Sequence, residues 1–82
     1  MIHRLKCVAP LFADVVSGAK NFEVRLDDRG FAVGDQIDLM ECDERGQETG
    51  RSFKVVISYI LRALEIPGYP LQGGYVVLGI RR

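Results

Sequence analysis

The chain has 82 residues, of which 48% are hydrophobic and 27% charged. That is enough for one small globular domain spanning 1–82, with no room for a second core. Eleven basic side chains balance eleven acidic ones, which excludes a strongly basic, non-specific nucleic-acid binder but leaves room for a local cationic site.

In chain order, "IHRLKCV" (2–8) alternates imperfectly and reads as a first strand. Pro10 sits where a first helical turn tolerates it, and Leu11, Phe12, Val15 and Val16 follow at helical spacing. Gly18 closes this short helix as a C-terminal cap would. "NFEVRL" (21–26) alternates cleanly, with Phe22, Val24 and Leu26 on one face and Asn21, Glu23 and Arg25 on the other. The apolar face is expected to hold this strand to the core.

"DDRG" and "AVGD" are turn chemistry, Gly34 being free to take a positive φ and Asp35 to bond nearby backbone. "QIDLMEC" (36–42) is a third strand, "DERGQETG" a polar connection, and "RSFKVVISYIL" (51–61) a fourth strand that forms a hairpin with the third. "RALEIPGYPLQGG" reads as a long loop and "YVVLGI" (75–80) as an apolar last strand. The fold class is therefore mostly β (α+β): a small β-barrel of about five strands with one short helix after the first.

Cys7 and Cys42 belong to no CxxC or Cys/His ligand spacing. They read as small buried thiols in a reducing compartment, with a disulfide as the alternative. There is no secretory-signal pattern and no run of about 18 apolar residues, so the expectation is a soluble, cytoplasmic protein without a membrane partner. Asp27, Asp28, Asp43 and Glu44 lack the ordered spacing of a calcium loop, and no glycine-rich phosphate loop precedes a helix. No metal and no cofactor are expected.

The stretch "GAKNFEVR" carries the chemistry. Lys20 stands at the helix–strand junction, and Glu23 and Arg25 share one strand face about 7 Å apart. Arginine offers a planar fork of donors for phosphate or a base edge, lysine a mobile cation or a base, and glutamate an acceptor for an exocyclic amine. The bland alternative is a solvated face with weak ion pairs. His3 is either a surface residue or an acid–base and phosphate-contacting group. Tyr69 and Tyr75 are candidates to stack on a base, Tyr69 in its loop being the better one and Tyr75, which opens an apolar strand, reading first as core. Arg81 and Arg82 either extend a basic surface or are simply solvated.

Taken in order, "HRLK" (3–6), "FADVVSGAKNFEVRLDDRGFAVGD" (12–35), "TGR" (49–51) and "GYVVLGI" (74–80) resemble the PUA-like superfamily. Within it, the chain resembles the activating signal cointegrator homology (ASCH) domains, and more narrowly a group of small bacterial and phage ASCH-like proteins of unassigned function. The resemblance implies a β-barrel with a cleft where the Gly-x-Lys loop, the following strand and the first strand meet. In such domains the cleft is thought to receive RNA or a nucleoside. Lys20, Glu23 and Arg25 fall on its motif, with His3 and Lys6 as the polar positions of the "H-x-L-K" feature.

Some ASCH proteins are amidohydrolases acting on acylated cytidine, through a Gly-x-Lys-Thr-x-Thr-x-Arg motif and a distant glutamate. Lys20 matches that motif, whereas Asn21 and Glu23 stand at the threonine positions, and Glu65 is the stand-in for the distant acid. Others are reported as ribonucleases. The expected partner is thus RNA or a nucleotide or nucleoside, bound by His3, Lys6, Lys20, Glu23 and Arg25. The alternative is a hydrolase acting on a modified nucleoside or on RNA, with Lys20 and Glu23 as its catalytic groups. A protein-interaction module is the third reading.

Overall fold

Five strands and one helix form from these patterns in a computed structural model that describes residues 1–62, 68, 71 and 73–82. The elements run β1 (Ile2–Val8), α1 (Ala9–Ser17), β2 (Phe22–Leu26), β3 (Gln36–Cys42), β4 (Glu48–Arg62) and β5 (Tyr75–Arg81). The strands make one sheet in the order β1-β3-β4-β5-β2. β1 pairs with β3 in parallel, and every other pairing is antiparallel. β3 and β4 form the expected hairpin, although β4 begins at Glu48, inside the segment expected to be its connection.

The helix follows its capping chemistry. Pro10 lies in its first turn, and Gly18 takes a left-handed φ of 88° that sends its N–H back to the Val15 carbonyl. Phe12 and Val15 are the buried residues of α1. Together with Ile37, Leu39, Ile57 and Leu78 they form the centre of the core. Burying side chains of this size contributes about 1.5–3 kcal/mol each. Both cysteines are buried free thiols, as expected of small apolar residues.

The long strand β4 pairs with β3 along its first part and with β5 along its second. Its register shifts between Ile57 and Tyr59, a bulge that bends the sheet. Gly79 of β5 lies against this bulge: a Cβ there would meet the Tyr59 Cβ at 3.2 Å and the Ser58 Oγ at 3.3 Å. The sheet curls around the core as a half-barrel, open between β1 and β2. The expected small barrel of about five strands is thus found in an open, barrel-like form. Across the seam, the β1 carbonyls of Lys6 and Arg4 accept from the side chains of Arg25 and Arg29, at 2.7 and 3.1 Å, and not from β2 backbone. Charged groups on both edges also discourage edge-to-edge pairing with another chain.

The topology places the site. β1 and β2 are the two outer strands of the sheet, and α1 carries the chain from one to the other. Whatever lies between the two edges is lined by the end of β1, the start of α1, the Gly18–Lys20 turn and β2. Among the described residues, no helix is long and apolar enough to cross a membrane.

Candidate functional site

The faces of β2 are the reverse of the expected ones. Phe22, Val24 and Leu26 are 43%, 52% and 51% exposed, whereas Glu23 is 3% exposed. Alternation defines two faces of a strand without saying which one turns inward. The neighbouring strand settles the matter here. Ile80 donates to the Asn21 carbonyl and Asp27 to the Gly74 carbonyl, fixing the register of β2 on β5 and turning the charged face toward the concave side.

A carboxylate buried this deeply is tolerable only when paired and hydrogen-bonded. Glu23 is held on both oxygens. Lys20 donates to Oε2, and Arg25 donates to Oε1 through Nη2 at 2.8 Å and Nε at 3.3 Å. Lys20 also donates to the Phe22 carbonyl at 2.7 Å and lies 5.0 Å from the centre of the Phe22 ring. The same Arg25 Nη2 reaches the Lys6 carbonyl on the opposite edge at 2.7 Å. The three side chains form a fixed constellation, with two cations around one anion. The exposed-face alternative, a set of weak solvated pairs, does not describe a glutamate so fully enclosed.

Beside this triad lies a cleft of about 330 Å³ between the two sheet edges. Lys6, Lys20, Glu23 and Arg25 supply its polar lining. Val8, Leu11, Phe22 and Val24 supply apolar walls, and each of these four is between 43% and 52% exposed. Sequence reasoning missed all four as site residues, because their membership follows from the meeting of two distant edges. Cys7 also borders the cleft; burial pushes its thiol pKa up, and the Glu23 carboxylate pushes it in the same direction.

The structure brings Lys6, Lys20, Glu23 and Arg25 together and sets His3 apart. His3, Leu5 and Cys7 share the buried face of β1, while Lys6 sits on the other face. His3 is 3% exposed, meets the Phe31 ring edge-on at 4.7 Å between centres, and bonds through Nε2 to Asp35 Oδ2 at 2.8 Å. The signal was present: His3 has the same parity in β1 as Leu5 and Cys7. Asp35 does more than close its turn. It accepts from the Ala32 N–H at 3.1 Å and lies 3.5 Å from the Met1 ammonium. The hydrogen bond from His3 is the main cause that holds its carboxyl pKa below the usual value.

Thr49 and Arg51 are placed away from the cleft. Both contact Glu41, the hydroxyl of Thr49 at 2.7 Å and the guanidinium of Arg51 at 3.5 Å. Arg51 also lies over the Phe12 ring, tying the hairpin to α1. Tyr75 is 40% exposed at the start of β5 rather than in the core. Glu65 and Tyr69 lie outside the described residues. Among the described residues, no three His, Cys, Asp or Glu side chains gather as a metal set.

The family described as "Domain of unknown function (DUF3850)" matches residues 2–80 of the chain. No curated protein matches it.

Proposed function

The chain belongs to the DUF3850 family, and we propose that it binds RNA or a nucleotide in the cleft between β1 and β2. One observation carries this reading: Glu23, enclosed at the cleft, fixes the two cations Lys20 and Arg25 beside apolar walls. A nucleotide has matching parts. A base and sugar suit Val8, Leu11, Phe22 and Val24, while a phosphate suits Lys6, Lys20 and Arg25. The volume falls at the lower end of ordinary small-molecule sites, roughly 300–1,000 Å³. The ordered resemblance to ASCH domains supports the same ligand class, and a cytoplasmic setting goes with it.

Lys20 has three N–H donors, two of them directed at Glu23 and the Phe22 carbonyl. Among the described residues the third has no partner, and it can meet a ligand oxygen. Arg25 Nη1 makes no hydrogen bond among the described residues, so the guanidinium keeps one donor nitrogen for the cleft. Holding two cations in place before binding lowers the ordering cost of capture. Binding is preferred over hydrolysis because Glu23, the candidate proton carrier, has both oxygens engaged by cations.

The test is calorimetric titration of the protein with nucleoside monophosphates and short single-stranded RNAs. Wild type is expected to bind members of this panel. Lys20→Ala and Arg25→Ala, checked as folded by circular dichroism, are expected to weaken binding by roughly tenfold or more, as loss of a charge-assisted contact does. No binding across the panel by wild type overturns the proposal.

A further inference from the structure

A second cavity opens on the far side of Lys20. It has a volume of about 150 Å³, with Val15, Phe53, Val55 and Ile80 as an apolar floor. Its rim carries Lys20, Asn21, Arg81 and Arg82. Lys20 lines both cavities, so the two have this residue in common.

The charge distribution around the pair is one-sided. In a chain whose charged side chains balance, Lys6, Lys20, Arg25, Arg81 and Arg82 line the two cavities, and Glu23 is the one carboxylate side chain among their described lining residues. Cations concentrated in this way raise the local potential for an anion well above that of the rest of the surface. Arg82 is anchored rather than loose. Its guanidinium lies 5.2 Å from the centre of the Phe53 ring and donates to the Val16 carbonyl in the last turn of α1. It thereby covers a carbonyl that would otherwise repel an anion. Arg81 donates to the Arg82 main-chain oxygen at 3.2 Å.

We infer that the second cavity is an anion subsite continuous with the first, so that the ligand is a nucleotide chain carrying a further phosphate past Lys20. This rests on the proposed nucleotide cleft and extends it from a single unit to two. Lys20 takes the linking phosphate, and Arg82, Arg81 and the Asn21 amide take the next one. A mononucleotide leaves this rim empty.

The experiment compares adenosine 5′-monophosphate with the 5′-phosphorylated dinucleotide pApA, by calorimetry on wild type, Arg82→Gln, Arg81→Gln and Arg25→Gln. Wild type is expected to bind pApA at least tenfold more tightly than the mononucleotide. Its log K is expected to fall more steeply with log salt, by about 0.7 for the added phosphate. Arg82→Gln is expected to cut the preference to about threefold or less while leaving mononucleotide affinity unchanged. If its loss from the α1 contact unfolds the protein, Arg81→Gln, whose side chain makes no such contact, carries the same expectation in weaker form. Arg25→Gln is expected to weaken both ligands alike. Equal wild-type affinity for the two ligands, or an equal loss for both in the Arg82 and Arg81 variants, overturns the second subsite and leaves the first. Failure of wild type to bind either ligand overturns the cleft itself, and this inference with it.

Discussion

Arg25 Nη2 donates to the Lys6 backbone carbonyl at 2.7 Å and so ties the two free edges of the sheet together. The same nitrogen donates to Glu23. One side chain thus bridges the open seam and positions the carboxylate beside it. A lysine in its place keeps the charge but lacks the planar fork needed to reach both acceptors. Arg25→Lys is expected to lower stability by about 1.5–3 kcal/mol, the worth of hydrogen bonds to a charged group. Urea denaturation checks this; an unchanged midpoint would show that the seam is held by something else.

Glu23 poses the sharper question, because its neighbours are both cations. Glu23→Gln removes the anion and leaves Lys20 and Arg25 facing each other. Breaking a buried pair in this way costs about 3–5 kcal/mol. For a domain of this size, each kcal/mol moves Tm by roughly 4–8 °C. Scanning calorimetry should therefore show a fall of more than 10 °C at neutral pH. A shift within a degree or two would mean that the two cations do not depend on the carboxylate.

Acid stability follows from the His3–Asp35 bond. The folded-state pKa of Asp35 is depressed, first of all by the hydrogen bond from His3. A group with a lowered folded pKa contributes stability that is present above its unfolded value, about 3.9 for aspartate, and lost as pH falls through the folded value. Asp35→Asn is expected to lose stability at pH 6, and to show a shallower further loss than wild type as pH falls from 5 to 2. Parallel acid limbs in the two proteins would contradict this.

Cys7 supplies a probe of the seam. Its thiol is 4% exposed and its pKa is raised, by burial above all and then by Glu23. Thiolate is the reacting form, so modification by a thiol reagent at pH 8 is expected to be slow in the folded protein and fast in urea. Glu23→Gln is expected to speed the folded-state reaction, because it removes a group that raises the pKa. Equal rates in the folded and unfolded protein would show Cys7 to be open.

Much of this organisation was legible in the sequence. Pro10 and Gly18 bracket α1, Asp43 to Gly46 make a turn, and the apolar runs mark the strands, since these depend on local backbone preferences. The alternation of β2 gave Glu23 and Arg25 one face, as found. Its inward direction was not legible, because that depends on the register with β5, some 55 residues later in the chain. The resemblance to ASCH domains groups His3 with Lys6, although strand alternation separates them to opposite faces. The cleft walls Val8, Leu11, Phe22 and Val24 meet only because β1 and β2 end up as the two outer strands.

The central claim is that a nucleotide occupies the seam beside Lys20 and Arg25. Titrating ¹⁵N-labelled protein with a single-stranded RNA tetranucleotide, while following backbone amide shifts, tests it most directly. The expected result is saturable shifts at Lys6 to Leu11 and Lys20 to Arg25, with the Ala32–Asp35 turn unmoved. Absence of shifts at saturating ligand, or shifts confined to that turn, would contradict it.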